Sequence, residues 1–324
     1  MKTESYPIKA KPLFIVLAVA IVGLVASTQQ ARSGLNIVGY ANVALTNGYN
    51  FIANPLDVYQ TNGVLNNSLT NLIPSPPDGT EVFVWDVTNQ VFLAPATFDA
   101  TVPAWDRNFD LPPGKGFVVL ANALWTNTFV GTVEQGSLTN FVAGTNKFSL
   151  LADKIPATES LNSMAFPGTN GTLFAATDGQ DVYVFKTPGQ SYSDAFTYFN
   201  NFGWFDPNGV VDANGPVIAV AQSFFVQNPG PDAYWVRNFS FASSAAPPLS
   251  ALAVSDSTGP TIRRLTTGVK KVTLEILNPS GGPYNVQFST DGAAWKTVAK
   301  NRTGSAWTGP CPGGAQGYYQ VVKP

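Results

Sequence analysis

Two stretches of this sequence, "DGTEVFVWD" (Asp78–Asp86) and "DGQDVYVFK" (Asp178–Lys186), carry the same pattern 100 residues apart. In each, an Asp-Gly pair is followed by apolar and aromatic residues at every second position. Asp-Gly is typical of a tight turn, and this alternation is typical of a β-strand. The pattern therefore predicts the same turn and strand twice in one chain.

Other segments repeat in the same order. The matched pairs are "YNFIANPL" (49–56) with "FSLLADKI" (148–155), "AW" (104–105) with "GW" (203–204), "GFVV" (116–119) with "SFFV" (223–226), and "ALWTNTF" (123–129) with "AYWVRNF" (233–239). The spacing between partners grows from 99 to 110 residues, and extra residues of the second copy account for the growth. We interpret the pattern as a tandem duplication of about 100 residues.

Each copy reads as many short strands separated by Gly, Pro and Asn, with one short helix. In the first copy Leu65, Leu69 and Leu72 lie at helical spacing, and in the second copy "TESLNSMAF" (158–166) opens with Thr158 as a helix N-cap. Many short strands favour a sandwich or a barrel. The sequence predicts an all-β fold with two tandem β-sandwich or barrel-like domains, at residues 34–142 and 143–242.

A third unit is predicted after a linker. Residues 243–260 are rich in Ala, Ser and Pro, which is typical of a linker. Residues 261–324 follow, and the segments "VTLEIL", "YNVQFS" and "WKTVAK" alternate with turns. This pattern predicts a small antiparallel β domain of immunoglobulin or fibronectin type.

The N-terminus has the organisation of a secretory signal peptide. Three lysines precede 14 residues without charge (13–26), and small residues lie before Gly34. This order of regions is typical of a signal peptide, and 14 residues are fewer than the roughly 20 that span a bilayer. We expect residues 1–33 to be removed near Ser33 and the mature protein to be secreted or associated with the cell surface.

Composition excludes several kinds of chemistry. The chain contains no histidine, which excludes His-dependent catalysis and His-ligated metals, and its one cysteine, Cys311, excludes an intrachain disulfide. Residues 34–242 carry 6 basic and 16 acidic side chains, a net charge of −10, whereas 251–324 carry 8 and 3, a net charge of +5. An acidic body does not favour nucleic acid, whereas the basic C-terminal unit suits an anionic envelope or polysaccharide, or is an ordinary solvated surface.

These segments resemble a module of uncharacterised secreted proteins from environmental bacteria. The resemblance rests on "GYNFIANPL", "DGTEVFVWD", the "AW" pair and "LPPGKGFVV", and the second copy departs from it with "AVAQSFFV". The third unit is similar to small terminal β domains of such proteins. The resemblance implies export and β structure, and it implies no catalytic residue.

A calcium loop is one candidate site. Residues 206–215, "DPNGVVDANG", offer the oxygen ligands of Asp206, Asn208, Asp212 and Asn214 on a Gly-rich segment. Two successive turns also require Asp, Asn and Gly at these positions. Apart from this calcium hypothesis the sequence predicts no cofactor.

Trp105 and Trp204 form a second candidate, because they occupy matching positions in the two copies. Their rings are interpreted either as platforms for sugar stacking or as core anchors of a small β domain. The platform reading requires both rings to face solvent.

The functional prediction is a secreted or surface-associated protein without enzymatic activity, with a structural, matrix or adhesion role and self or an extracellular polysaccharide as partner. The alternative is a polysaccharide-binding protein that uses the repeated aromatic residues. A third reading is a glycoside hydrolase with two carboxylates, for which the acidic clusters are Asp99, Asp106 and Asp110, Asp78 with Glu81, and Asp178 with Asp181.

Overall fold

Both repeated phrases form the same strand in equivalent sheets. The structure is a computed structural model that describes residues 37–59, 64–161, 177–212, 215–239, 260–268, 271–278, 281–311 and 316–324. The predicted signal peptide and nearly all of the predicted linker lie outside the described residues.

The first copy forms β1 (Val38–Leu45), β2 (Gly48–Ala53), α1 (Leu69–Leu72), β3 (Glu81–Asp86), β4 (Val91–Phe92), β5 (Ala96–Asp99), β6 (Ala104–Trp105), β7 (Gly116–Ala121) and β8 (Trp125–Thr132). The second copy forms β9 (Gly136–Val142), β10 (Lys147–Ala152), β11 (Glu159–Ser160), β12 (Gln180–Lys186), β13 (Ser191–Tyr192), β14 (Phe196–Phe199), β15 (Gly203–Phe205), β16 (Val211–Asp212), β17 (Val217–Ile218), β18 (Ser223–Asn228) and β19 (Ala233–Phe239). The C-terminal unit forms β20 (Thr261–Gly268), β21 (Lys271–Leu277), β22 (Tyr284–Ser289), β23 (Lys296–Arg302), β24 (Ala306–Pro310) and β25 (Gln316–Val322).

The two copies have the same sheet topology. In the first, the strand order is β2-β7-β3-β5-β6, with β4 paired to β3; in the second it is β10-β18-β12-β14-β15-β16, with β13 paired to β12. Every strand pair is antiparallel. The predicted all-β fold is confirmed, and the strands of the aligned segments occupy equivalent places.

The helix prediction holds for one copy and fails in the described part of the other. The four-residue helix α1 lies in the predicted segment and buries Leu69 and Leu72. In the second copy Glu159–Ser160 is a strand that pairs with β17, so Thr158 does not cap a helix there. Pairing to β17, in the residues that the second copy adds, holds Glu159 and Ser160 in a strand. Residues 162–176 of this segment lie outside the described residues.

The C-terminal unit forms a small sandwich in which one sheet is completed by two strands of the first copy, β1 and β8. One sheet has the order β23-β22-β25-β1-β8 and the other β20-β21-β24. A buried cluster that includes Tyr40, Val272, Tyr284 and Trp307 lies between them. The three segments that predicted strands here form β21, β22 and β23.

The predicted domain boundaries remain predictions, and two strand pairings cross them. The predicted boundary at 142/143 falls at the end of β9, which pairs along its length with β19. Likewise β1 of the first copy pairs with β25 of the C-terminal unit. In the part of the chain that the structure describes, no helix is long and apolar enough to cross a membrane.

The repeated strand contacts other parts of the protein on both faces, which explains its composition. In β3, Val82 and Val84 point into the core of the first copy, while Phe83 and Trp85 point into a separate cluster shared by both copies. In β12, Val182 lies in the core of the second copy and Tyr183 and Phe185 join the shared cluster. The alternation therefore places valines toward the strand's own copy and aromatic rings toward the other copy.

We call this shared group the interface cluster. It contains Phe51, Phe83, Trp85 and Val118 from the first copy and Phe148, Leu150, Tyr183, Phe185 and Phe225 from the second. Ring pairs of this kind add roughly 0.5–1.5 kcal/mol each beyond the area they bury. The sequence indicated two domains in tandem, whereas the structure packs them face to face.

Backbone hydrogen bonds join the copies reciprocally. Ala53 N–H donates to Ala221 O at 2.8 Å, and Ala152 N–H donates to Gly114 O at 3.0 Å. Ala53 and Ala152 end the equivalent strands β2 and β10, and their acceptors precede the equivalent strands β7 and β18. The two bonds are thus one interaction made twice, as expected for a pseudo-two-fold arrangement.

Two glutamines reinforce the same symmetry. Gln190 accepts Tyr49 N–H on Oε1 at 2.6 Å and donates from Nε2 to Tyr49 O at 3.1 Å. Gln90 makes the same pair of bonds with Phe148, at 2.7 and 3.0 Å. Both glutamines have left-handed backbones, with φ of 57° at Gln90 and 47° at Gln190. Their side-chain hydrogen bonds hold the two turns against the opposite copy.

Candidate functional site

The Asp of each repeated Asp-Gly pair fixes a hairpin. Asp78 Oδ1 accepts Ala100 N–H at 2.8 Å, and Asp178 Oδ1 accepts Asn200 N–H at 2.8 Å. Both donors lie in the turn that follows the equivalent strands β5 and β14. The repeated acidic residue therefore has a structural role in both copies.

The hairpin of the second copy presents three aromatic rings, Phe199, Phe202 and Phe205, which we call the aromatic tip. Phe202 is 68% exposed and Phe199 is 40% exposed. The ring of Phe205 lies 5.1 Å from that of Phe199 and 6.4 Å from that of Phe202, both edge to face. The rings thus form one exposed cluster.

Polar side chains surround the aromatic tip. An open depression of about 470 Å³ is lined by Asp178, Asn200 and Asn201 together with the three rings. Asn201 takes a left-handed backbone (φ 69°), and Gly203 follows it with φ of 89°. The tight turn sets the amide groups beside the rings.

The first copy builds the equivalent hairpin, with a turn one residue longer, without these rings. Phe98 pairs with Trp105, and Tyr198 pairs with Trp204, in equivalent registers. The residues that follow each partner are Asp99 and Asp106 in the first copy and Phe199 and Phe205 in the second. The hairpin therefore does not require aromatic residues at these two positions.

The ring of Trp204 is buried, as its interpretation as a core anchor requires, whereas the platform interpretation requires an exposed ring. Its side chain is 1% exposed and packs edge to face on Tyr198, with centroids 5.4 Å apart. Trp105 is half-buried, packs against the core of the first copy and donates its indole N–H to Ile73 O at 2.8 Å. The alternation of the strand points Trp204 inward and Phe205 to the opposite side, and the most exposed ring, that of Phe202, lies in the turn before the strand.

In the predicted calcium loop, the carboxylate of Asp206 accepts hydrogen bonds from the loop's own backbone. Asp206 Oδ1 accepts the N–H groups of Asn208 and Val210, both at 2.9 Å, and these bonds lower the pKa of the carboxyl below its usual value. Asp212 lies in β16 opposite Trp204, and Asn214 is outside the described residues. Within the described ranges, no three His, Cys, Asp or Glu side chains form a group that could hold a metal ion. Calcium binding stays a prediction.

Three carboxylates of the acidic clusters, those of Asp99, Asp106 and Asp181, accept hydrogen bonds within the hairpins. Asp99 Oδ1 accepts Thr101 N–H at 2.7 Å and its hydroxyl at 2.6 Å, which lowers the pKa of Asp99. Asp106 Oδ1 accepts Thr97 N–H at 2.8 Å, and Asp181 accepts the hydroxyl of Thr197 at 2.6 Å. These contacts give the carboxylates structural roles in the hairpins.

A buried ionic group in the second copy was not indicated by the sequence. Arg237 on β19 contacts Asp153 through Nη1 and Glu159 through Nη2, the latter at 2.9 Å. Asp153 is 6% exposed, and burial raises the pKa of its carboxyl to about 7. In the first copy the aligned residue is Asn54, whose Oδ1 accepts the N–H two residues ahead as that of Asp153 does.

Comparisons with known proteins name no family. No protein-family model matches the sequence, and no curated protein matches it. Among solved structures, the chain is similar to the β-1,2-glucanase from Parabacteroides distasonis, with 14% identity over 58% of this chain and 25% of that chain, and a TM-score of 0.18. The chain thus spans about a quarter of the length of that enzyme, and so slight a likeness indicates neither fold nor function.

Proposed function

We propose that this protein is an exported adhesion protein without enzymatic activity that binds polysaccharide through the aromatic tip. The observation that carries the proposal is the exposure of Phe199 and Phe202 on a hairpin whose counterpart in the first copy has Asp99 in place of Phe199 and no aromatic residue in its turn (100–103). Exposed apolar clusters on monomeric proteins commonly mark binding sites. The fold of the hairpin does not require these rings, because the first copy folds without them.

The chemistry of the aromatic tip suits sugars. The faces of aromatic rings pack against the C–H faces of pyranoses, while the amides of Asn200 and Asn201 offer donors and acceptors for hydroxyl groups. The depression is open and shallow, as suits a chain of sugar units passing across the surface. The predicted signal peptide supports an extracellular setting for this ligand.

The test is a pull-down of residues 34–324 on insoluble polysaccharides. The variant F199D/F205D installs the residues of the first copy, so we expect the hairpin to fold and binding to fall at least tenfold. Leu124→Ala, at a residue of the first copy that is 77% exposed, is the matched control and should bind as the wild type does. Far-UV circular dichroism checks folding of each variant.

Two results would overturn the proposal. Absence of wild-type binding to every glycan in the panel would remove the ligand class. Undiminished binding by the folded F199D/F205D variant would place the site elsewhere on the protein.

A further inference from the structure

The three rings of the aromatic tip do not lie in one plane. The ring of Phe205 is inclined by 89° to that of Phe199 and by 70° to that of Phe202. Because the negative charge of an aromatic ring lies on its face, the C–H groups of a sugar stack on the face and not on the edge. A flat surface that covers the face of Phe205 therefore meets the other two rings edge-on, so it cannot stack on all three.

The rings line a depression and not a raised platform. Its volume is about 470 Å³, and Asp178, Asn200 and Asn201 line it together with the rings. This volume is within the roughly 300–1,000 Å³ of typical small-ligand sites. A flat face would rest on the rim and leave the amide groups without partners, whereas an individual chain can enter the depression and meet both the amides and the rings.

The apolar surface continues from the depression in one direction. Phe205 is paired with Thr197 on one neighbouring strand and with Val211 on the other, and residues directly opposite in a sheet lie on the same face. Val211 is 52% exposed, whereas the hydroxyl of Thr197 donates to Asp181. The rings and Val211 thus form a strip that crosses β15 and β16, which suits an extended chain better than a broad surface.

The surroundings of the depression are acidic. In the part of the chain that the structure describes, its lining contains Asp178 and neither Lys nor Arg. Asp206 follows Phe205 directly, and residues 34–242 as a whole carry 6 basic and 16 acidic side chains. A field of this sign lowers the local concentration of anions, so uronate and sulfate groups are disfavoured at the site.

We propose that the aromatic tip binds individual chains of neutral polysaccharide and discriminates against anionic chains and against the flat faces of crystalline polysaccharides. This selectivity rests on the proposed function and specifies its class of ligand. One sugar unit stacks in the depression, where the amides of Asn200 and Asn201 bind its hydroxyl groups, and the chain continues over Val211. The shape of the depression selects the individual chain, and the acidic surroundings select the neutral one.

Two physical forms of one polymer separate the binding of chains from the binding of surfaces. Residues 34–324 are titrated with swollen and with microcrystalline cellulose, and with the corresponding forms of chitin and mannan. We expect a dissociation constant at least tenfold lower for the swollen form of the polymer that binds. F199D/F205D should abolish this difference, and Leu124→Ala should retain it. Equal affinity for both forms would overturn the inference and leave the proposed function standing, whereas no binding to any polymer in either form would overturn both.

Charge is tested in native affinity gels with the hydroxyethyl and carboxymethyl derivatives of the polymer that binds. The wild type should bind the neutral derivative at least tenfold more tightly. Asn200→Lys keeps the backbone N–H that Asp178 accepts, places a cation in the depression and should shift the preference toward the carboxymethyl derivative at least fivefold. The matched control, Asn238→Lys, adds the same charge at an exposed residue of β19 and should leave the preference unchanged. Equal binding of both derivatives by the wild type, or no shift in Asn200→Lys beyond that of the control, would overturn the inference.

Discussion

Removing the ring of Phe225 should loosen both copies at once. Phe225 lies on β18, is 7% exposed and belongs to the interface cluster. Five rings surround it with centroids 5.1–6.3 Å away: Phe51, Trp85, Phe92, Phe148 and Tyr192. Three of these rings belong to the first copy, so the side chain of Phe225 bridges the interface.

The magnitude follows from the size of the cavity. Truncation of a buried Phe to Ala usually lowers the free energy of unfolding by about 3–5 kcal/mol. Since about 1 kcal/mol moves the melting temperature of a chain of about 290 residues by roughly 1.6 °C, we expect Phe225→Ala to melt about 5–8 °C below the wild type. Val118→Ala, at the equivalent place in the first copy, should cost about 2 kcal/mol, because fewer buried atoms are lost.

Urea unfolding followed by tryptophan fluorescence measures both variants, because the ring of Trp85 lies 5.1 Å from that of Phe225. The unfolding slope should match that of the wild type, which shows that the same surface is exposed. A loss below about 1 kcal/mol for Phe225→Ala would refute the described packing. So would a loss no larger than that of Val118→Ala.

Two further predictions concern polar contacts. Gln190→Ala and Gln90→Ala should each lower the free energy of unfolding by about 1–3 kcal/mol, because each variant loses two hydrogen bonds to the opposite copy. Thermal melts measure the loss. An unchanged stability in both variants would show that these bonds do not hold the copies together. The carboxyl of Asp153 has a pKa of about 7 in the folded protein and about 4 in the unfolded chain. Between these pH values the unfolded state therefore binds fewer protons than the folded state. The free energy of unfolding should fall as the pH rises through that window. Asp153→Asn, which installs the residue of the first copy, should flatten this dependence in melts between about pH 4 and pH 7; an unchanged slope would assign it to other groups.

The alternation of apolar residues was enough to predict the strands but not where each face goes. In β3 the alternation of Val82 and Val84 with Phe83 and Trp85 predicts a strand without saying what covers either side. The structure buries the rings against the other copy. Period-two patterns give the sides of a strand, whereas the identity of the layer on each side depends on contacts between residues far apart in the chain.

The recurrence of the two interface glutamines is visible in the sequence, but their contacts are not. Gln90 and Gln190 recur at a spacing of 100 residues, inside turns where a single polar residue is unremarkable. Their backbone angles and their bonds to Tyr49 and Phe148 depend on tertiary packing. No local rule predicts such contacts.

The sequence singled out Trp204 in this hairpin, and the structure exposes the neighbouring rings instead. In "FGWF" (202–205) three rings lie close together in sequence, and the strand alternation and the turn decide which of them faces solvent. Trp204 takes the inward position because it pairs with Tyr198 over the core. The pairing of β1 with β25, across almost 280 residues, could not be predicted from either segment alone.

The central structural claim is that the two copies form one cooperative body through the interface cluster. Differential scanning calorimetry of residues 34–324 tests it most directly. We predict one transition for the two copies, with equal calorimetric and van't Hoff enthalpies, that moves as a whole to lower temperature in Phe225→Ala. Two separate transitions for the copies in the wild type, with only one of them moved by Phe225→Ala, would contradict the claim.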